Sequence, residues 1–296
     1  MSHIPVLLNE TLEFLNIKDG MNILDCTFGG GGHTTAILEA ANVNVTAIDR
    51  DPDAAERAKG IKGKYQDRFN FIESKFSKIG ELFQGKKKFD AVLFDFGVSS
   101  FQLDIANRGF SFQKDGPLDM RMSKSGISAE DVINSYSEKD LAYIIKVYGD
   151  EQKSKKIATA IVNARNEKRI TTTLQLRNAI HSVFPFNKLE KKHSNIDVAT
   201  KTFQAIRIYV NDEIREIHEA LVSLPLILNN KARIAMISFH SLEDTVVKNF
   251  GKSMEKCFSA INKKVIKASE AEILKNPRSR SAILRGFVYN ENKDLG

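Results

Sequence analysis

The feature that most constrains the fold is an alternation of strand-like and helix-like segments over the first hundred residues. Short apolar runs begin at Asn22, Asn44, Phe69 and Phe89, and helix-like stretches separate them. The fourth run, 89–94, is the most uniformly apolar, as expected of a strand that is buried on both faces. Strands that alternate with helices predict a parallel sheet with right-handed crossovers, and therefore an α/β fold.

The alternation stops after the fourth strand. Residues 107–203 are dominated by turns, helix-capping sequences and a helical apolar stripe over 151–166, and strand character returns at 232–239. We therefore predict one α/β domain, formed by residues 1–106 and 204–296, with an inserted helical domain between its two parts. The insertion follows the carboxyl end of a central strand, where doubly wound sheets bind ligands, so it is a candidate substrate-recognition domain.

The basic charge of the chain lies outside its first third. The formal net charge is +7, and residues 105–205 carry 17 Lys+Arg against 11 Asp+Glu, whereas residues 1–104 carry 12 against 15. This asymmetry suggests a polyanionic partner, although a solvated basic surface is about as common.

Cysteine, histidine and apolar patterns exclude several classes of protein. Two distant cysteines, Cys26 and Cys257, cannot form a disulfide framework or a cysteine zinc site, and the histidines show no metal-ligand spacing, so we expect no metal. No apolar stretch approaches the ~18 residues of a membrane span, and no signal peptide is recognisable. We therefore expect a cytoplasmic protein without a membrane partner.

The sharpest local motif is Asp25-Cys-Thr-Phe-Gly-Gly-Gly-Gly-His33, between the first strand and its helix. Glycines let the backbone turn tightly and approach a nucleotide-like ligand. The motif lacks the Gly-Lys-Ser/Thr of a phosphate-binding P-loop, and Thr34 stands where a dinucleotide fingerprint has its third glycine. An acid before a glycine cluster is typical of S-adenosylmethionine enzymes; the alternative is a purely structural turn.

Two further positions fit a nucleoside. Asp49 ends the second strand, twenty residues after Gly29, where an acid accepts the ribose hydroxyls of NAD or S-adenosylmethionine alike. Phe76, after the third strand, is a candidate for the adenine pocket, although its helical spacing from Ile79 and Phe83 equally fits a core residue.

The fourth strand closes with Asp95-Phe-Gly-Val-Ser-Ser-Phe-Gln102. Amino-methyltransferases place polar acceptors here that bind the target amine and free its lone pair for attack on the sulfonium methyl. Asp95, Ser99 and Ser100 are our catalytic candidates, and a helix or turn cap is the alternative. The segment has no cysteine, which argues against a cytosine-C5 mechanism with a thiolate nucleophile.

Two basic segments are candidates for contact with RNA. A Gly/Phe/Arg-rich loop runs from Arg108 to Arg121, and a short basic turn carries Arg278 and Arg280. Aromatic side chains stack on unpaired bases while arginines hold phosphates, but buried loop packing and a solvated turn are the alternatives.

Eight segments in order along nearly the whole chain resemble the bacterial 16S ribosomal RNA cytosine-N4 methyltransferase family. They are His3-Ile-Pro-Val-Leu-Leu-Asn-Glu10, Thr27-Phe-Gly-Gly-Gly-Gly-His33, Asp95-Phe-Gly-Val-Ser-Ser100, Arg108-Gly-Phe-Ser-Phe112, Gly116-Pro-Leu-Asp-Met-Arg-Met122, Thr202-Phe-Gln-Ala-Ile-Arg-Ile208, Ser238-Phe-His-Ser-Leu-Glu-Asp244 and Asn276-Pro-Arg-Ser-Arg-Ser281. The resemblance implies a class I methyltransferase (Rossmann-like) sheet with the helical insertion.

The resemblance also implies a cofactor, a substrate and a set of binding residues. The cofactor is S-adenosylmethionine, and its methyl group goes to N4 of a cytidine in the decoding region of 16S ribosomal RNA in the small ribosomal subunit. The implied cofactor residues are Gly31, Gly32, His33, Asp49, Phe76, Asp95 and Gln102. Two residues depart from the family pattern, namely Phe96 in place of leucine and Phe101 in place of proline.

Three other functions remain open at this point. They are an amino-methyltransferase acting on DNA or another RNA, an NAD-dependent oxidoreductase, and an RNA-binding protein without catalysis.

Overall fold

A computed structural model describes residues 5–185 and 197–291 of the chain. Its sheet has eight strands in the order β3-β2-β1-β4-β5-β8-β6, with β7 paired to β8. The strands are β1 (Asn22–Asp25), β2 (Asn44–Asp49), β3 (Phe69–Glu73), β4 (Phe89–Asp95), β5 (Leu228–Ser238), β6 (Phe258–Ala260), β7 (Ile266–Lys267) and β8 (Ile283–Tyr289).

The helices follow in chain order. They are α1 (Leu8–Leu15), α2 (Gly32–Ala40), α3 (Pro52–Tyr65), α4 (Ile79–Phe83), α5 (Ser100–Asp104), α6 (Ala129–Ser135), α7 (Glu138–Gly149), α8 (Ser154–Glu167), α9 (Thr173–His181), α10 (Thr200–Asn211), α11 (Glu213–Ile227), α12 (Ser241–Ser253) and α13 (Glu270–Lys275). Short 3₁₀ turns cover Gln66–Arg68, Phe76–Lys78, Ala106–Arg108 and Pro277–Ser281.

The predicted parallel α/β sheet is confirmed. Strands β1 to β5 are parallel to one another, and β8 runs antiparallel to its neighbours β5, β6 and β7. This strand order, with one antiparallel strand inserted near the edge, is that of the class I methyltransferase sheet that the family resemblance implies. The carboxyl ends of β1, β2, β3, β4 and β5 therefore meet along one edge of the sheet.

Strand β4 lies in the middle of the sheet, and apolar clusters cover both of its faces. Its residues Val92 and Phe94 join a cluster with α4, α11 and α12, whereas Ala91 and Leu93 face a cluster with α1, α2 and α3. All four side chains are completely buried. Burial on both faces explains why this segment reads as a continuous apolar run.

Several elements differ from the sequence prediction. Helix α1 and strand β6 were not predicted, and β5 begins at Leu228 rather than near residue 232. Leu7, the residue that precedes helix α1, lies in the left-handed region with φ +51° and provides no side-chain cap. Strand β6 has only three residues and is ordered by its pairing with β8. Strand β6 has no local sequence signal, whereas the helical spacing of Leu8, Leu12 and Leu15 in α1 was a signal that the prediction overlooked.

The chain divides into two compact units. The α/β unit comprises Met1–Val98 and Ile214–Gly296, and the helical unit comprises Ser99–Glu213. The sequence prediction placed these boundaries at 106/107 and 203/204, and the substrate-recognition role of the helical residues stays a prediction.

The helical unit has its own packed interior. Helix α7 packs against α8 and α10. Buried Asn211 accepts a hydrogen bond from the Met122 N–H at 2.8 Å and donates one to the Met120 carbonyl at 2.8 Å, which fixes the loop before α6 to the end of α10. Across 5–185 and 197–291, every helix is too short or too polar to cross a membrane.

Candidate active site

The glycine turn joins β1 to α2 in a conformation that requires glycine. Gly29 has φ +53° and Gly31 has φ +76°, both in the left-handed region. A Cβ on Gly31 would collide with the side chain of Ile61 and lie 2.8 Å from the ring of Phe28. Both backbone strain and packing therefore exclude a side chain at Gly31.

The N-terminal segment packs against the same turn. A Cβ on Gly32 would lie 2.5 Å from Cγ of Pro5, and the N–H of Leu7 donates to Oε1 of Glu272 at 2.8 Å. Residues 3 and 4 of the first family segment lie outside the described residues. The contact between Pro5 and the glycine turn explains why the first family segment occurs together with the glycine motif. This contact was not predicted from the sequence.

Asp25 ties the end of β1 to the start of α2. It is completely buried and accepts hydrogen bonds from the Thr27 N–H at 3.0 Å and the Thr34 hydroxyl at 2.6 Å. Burial raises the pKa of Asp25 to about 6, although both hydrogen bonds oppose this shift. The sequence analysis noted this acid only as part of the turn motif and assigned it no role.

Asp49 holds the glycine turn from the neighbouring strand. Its carboxylate accepts hydrogen bonds from the Gly29 N–H at 2.7 Å and from the Asp51 N–H at 2.9 Å. Arg57 donates to the Gly29 carbonyl at 2.9 Å, so both polar groups of this glycine are fixed. Burial raises the pKa of Asp49. Each carboxylate oxygen has a second lone pair and can also accept a ribose hydroxyl.

Asp95 lies at the end of β4, close to the same turn. Its N–H donates to the Thr27 hydroxyl at 2.7 Å, and its Oδ2 lies 3.6 Å from Nε2 of His33. Its Oδ1 is buried and accepts no hydrogen bond from the described residues. Burial raises the pKa of Asp95 well above its usual range, and the charges of Asp25 and Glu243 raise it further.

Glu243 is a buried acid beside this site that the sequence analysis missed. Its Oε2 accepts the Phe239 N–H at 2.7 Å, and it forms a capping box with His240 at the start of α12. A Cβ built on Gly97 would lie 3.7 Å from its Oε1, so Glu243 borders the turn that follows Asp95. The sequence signal that could have identified Glu243 is the His-x-x-Glu capping pattern that follows the strand predicted at residues 232–239.

Phe76 is partly exposed and borders an aromatic cluster. Its ring centroid lies 5.9 Å from that of Phe94, edge to face, and 6.1 Å from that of Phe96. The aromatic residue that replaces the family's leucine at position 96 therefore contacts Phe76 directly. The core and adenine-pocket interpretations both fit these contacts, because one side of Phe76 packs and part of it stays accessible.

Gln102, Ser99 and Ser100 lie at the start of α5, in the helical unit. The Ser99 hydroxyl accepts the Gln102 N–H at 3.3 Å, and Oε1 of Gln102 accepts the Ser99 N–H at 3.0 Å. Ser100 is buried, and Phe101 is 39% exposed. The observed contacts form a capping box, and the cofactor role of Gln102 and the catalytic roles of Ser99 and Ser100 stay predictions.

The two arginines of the predicted RNA-binding loop make contacts within the loop. Arg108 is buried and donates through Nη2 to the carbonyls of Arg121 and Met122, each at 3.0 Å. Arg121 forms a bidentate pair with Asp119, with an Nη2–Oδ2 distance of 2.7 Å. These contacts match the packing alternative, and contact of either arginine with RNA stays a prediction.

The basic turn near the C-terminus has a different character. Arg278 and Arg280 are both exposed on the 3₁₀ turn Pro277–Ser281, whereas Ser279 between them is completely buried and donates to the Asn276 carbonyl at 2.8 Å. The turn is therefore anchored by its serine, and the arginines on either side of it are exposed.

The raised pKa of Asp25 predicts a pH-dependent stability. The folded chain binds this proton more tightly than an unfolded chain, whose aspartate has its ordinary pKa of 3.8. The stabilising contribution of Asp25 is therefore fully present below about pH 4 and is lost as the pH rises through about 6. We expect the free energy of unfolding of wild type, relative to Asp25→Asn, to fall by about 2–3 kcal/mol from pH 4 to pH 7.

Urea denaturation of both proteins over this pH range measures the difference. Asp67→Asn, at an exposed acid beyond α3, is the matched control and should parallel wild type. If the stability of wild type and of Asp25→Asn changes in parallel with pH, burial does not raise the pKa of Asp25.

Comparison with known proteins assigns the chain to a family. The model of the MraW methylase family matches residues 1–289. The chain is 48% identical over 303 residues to the ribosomal RNA small subunit methyltransferase H of Rickettsia massiliae, covering 96% of this chain and 97% of the relative. The protein of the same name from Rickettsia bellii is 47% identical over 302 residues, with the same coverage of both chains.

Among solved structures, an rRNA methylase from Streptococcus thermophilus superposes with a TM-score of 0.48 and 10% identity, covering 98% of this chain and 100% of that chain. At this level the structural likeness adds nothing to the assignment, which rests on the sequence matches. These matches confirm the resemblance carried by the eight segments. The chain is therefore a methyltransferase and belongs to the MraW methylase family.

Proposed function

We propose that the chain transfers a methyl group from S-adenosylmethionine to the exocyclic N4 of a cytidine in the decoding region of 16S ribosomal RNA, in the small ribosomal subunit. The observation that carries this proposal is the turn at Gly29–Gly32, held by Asp49 and adjoined by Asp95, in a chain that is 48% identical to a small subunit rRNA methyltransferase. This substrate would place the enzyme in the cytoplasm.

The residues around the turn fit the parts of the methyl donor. Asp49 would accept the ribose hydroxyls, and Phe76 would contact the adenine ring. Gly31 and Gly32 would let the backbone approach the ligand, and His33 and Asp95 would bind the methionine portion. Gln102 completes the proposed set. S-adenosylmethionine supplies an electrophilic methyl group on a positively charged sulfur.

The acidic side chains of the site favour binding of a positively charged group such as the sulfonium of the methyl donor. Asp25 and Asp95 end neighbouring strands, and Glu243 lies at the start of the helix that follows β5. Repulsion from Asp25 and Glu243 contributes to the raised pKa of Asp95. A bound sulfonium and ammonium group would relieve this repulsion, because a nearby positive charge stabilises the ionised carboxylates. The buried, unpartnered Oδ1 of Asp95 is positioned to accept a hydrogen bond from an ammonium or amine group.

Methyl transfer to N4 also requires an acceptor for the target amine. Hydrogen bonding of the amine to side-chain or main-chain oxygen atoms localises its lone pair for attack on the methyl carbon. Asp95, Ser99 and Ser100 are the proposed acceptors. The proton that leaves N4 after transfer can pass to a carboxylate or to solvent.

A methyl-transfer assay tests this function. Small ribosomal subunits that lack the modification should take up label from methyl-labelled S-adenosylmethionine, and nucleoside mass analysis should place the methyl group on N4 of a single cytidine. Subunits that already carry the modification should take up none. Label on carbon 5 of cytosine, on DNA only, or on no substrate would contradict the proposal, and selective binding of NAD would favour an oxidoreductase.

The exposed arginines provide a test of RNA binding. A cation that contacts a phosphate releases counterions on binding, so its removal flattens the salt dependence of affinity. We expect Arg278→Ala and Arg280→Ala each to reduce the slope of log affinity against log salt by about one unit. Binding to the small subunit across a salt series, without methyl donor, measures these slopes.

Lys59→Ala is the matched control, because Lys59 is an exposed cation on α3 that pairs with Glu56. Its slope should equal that of wild type. If both arginine variants keep the wild-type slope and affinity, the turn is a solvated surface that does not contact RNA. Arg108 is unsuitable for this test, because its alanine variant would also lose the two carbonyl contacts.

A further inference from the structure

Glu216 on α11 is a buried acid that the proposed function leaves unexplained. Its side chain is 3% exposed, and Oε1 accepts a hydrogen bond from Nζ of Lys75 at 2.7 Å. Its other oxygen, Oε2, is buried and has no hydrogen-bond partner among the described residues. A buried polar atom without a partner destabilises the fold, and more so when it is charged. Such an atom calls for a ligand or a functional reason.

The position of Glu216 connects it with Phe76. Lys75 directly precedes Phe76 in the turn after β3, so the ion pair joins α11 to that turn. Ile217, the next residue of α11, belongs to the apolar cluster against which Phe76 packs. Lys75 is 39% exposed, so the ion pair lies close to the molecular surface. The side chain that carries the unpartnered oxygen therefore ties α11 to the turn that holds Phe76, the proposed adenine-binding residue.

We propose that Oε2 of Glu216 accepts a hydrogen bond from the exocyclic amine of the adenine base, and that Glu216 thereby selects adenine in the methyl donor. This inference rests on the proposed function, which makes the donor an adenosyl compound.

The chemistry of the two groups is complementary. An ionised carboxylate only accepts hydrogen bonds, and the adenine amine has two N–H groups to donate. A base with a carbonyl at the same position would place an acceptor against the carboxylate and leave both groups unpaired. Sites built to hydrogen-bond one group discriminate strongly against an analogue that lacks it. Lys75 keeps the carboxylate oriented by holding Oε1.

A structural role is the rival explanation. In that case the pair of Glu216 and Lys75 only fastens α11 to the turn after β3, and Glu216 has no preference between bases. The two explanations differ in selectivity for the base, which a change in folding stability alone would not alter.

The test compares S-adenosylhomocysteine with S-inosylhomocysteine, which carries a carbonyl in place of the amine. Calorimetry on wild type should give at least tenfold tighter binding of the adenosyl compound. In Glu216→Gln, the side-chain amide can donate to the carbonyl, so this preference should fall at least tenfold, partly through tighter binding of the inosyl compound. Glu219→Gln, at a more exposed acid one turn further along α11, should keep the wild-type ratio.

Each possible outcome decides the question. Equal affinity of wild type for the two compounds would overturn the inference without any variant. A Glu216→Gln protein that weakens both compounds by the same factor, or that keeps the wild-type ratio, would leave Glu216 a structural residue. Wild type that binds neither compound would overturn the proposed function itself, and with it the inference.

Discussion

The hydrogen bond from the Gly29 N–H to the Asp49 carboxylate, 2.7 Å long, is the interaction on which the rest of the site depends. It joins the turn after β1 to the end of β2 and holds Gly29 in a left-handed conformation. Asp25 makes the corresponding connection to α2 through the Thr34 hydroxyl. Two acids from adjacent parallel strands therefore fix the glycine turn before any ligand binds, which reduces the ordering that binding requires.

The same arrangement concentrates negative charge where the parallel strands end. Asp25 pairs in register with Leu93 of β4, and Asp95 pairs with Ile237 of β5, so the ends of β1, β4 and β5 are neighbours. Glu243 lies just beyond β5, in the first turn of α12. Burial raises the pKa values of Asp25 and Asp95, which means that ionisation of these groups opposes folding. Functional sites commonly retain such unfavourable groups because a ligand of opposite charge compensates them.

Much of the α/β unit was predictable because its central strands are largely buried. The runs that became β1, β2 and β4 are mostly apolar, and burial of this kind leaves a signal in sequence. Strand β6 and the left-handed start of α1 depend on distant residues and leave none.

The site was less predictable than the fold. The glycine turn and Asp49 have recognisable spacing, but the partners of an arginine do not, so the burial of Arg108 against two carbonyls was not foreseen. Glu216 likewise has no motif, because its significance comes from one oxygen atom that the fold leaves without a partner.

The most direct test is the affinity for S-adenosylmethionine when Asp49 loses its charge. Asp49→Asn keeps one acceptor, but its amide group would face either the Gly29 or the Asp51 N–H, so calorimetry should show at least tenfold weaker binding, equivalent to about 1.4 kcal/mol. Asp67→Asn, at an exposed acid, should bind as wild type does. Unchanged affinity of Asp49→Asn would contradict the claim that Asp49 holds the cofactor turn.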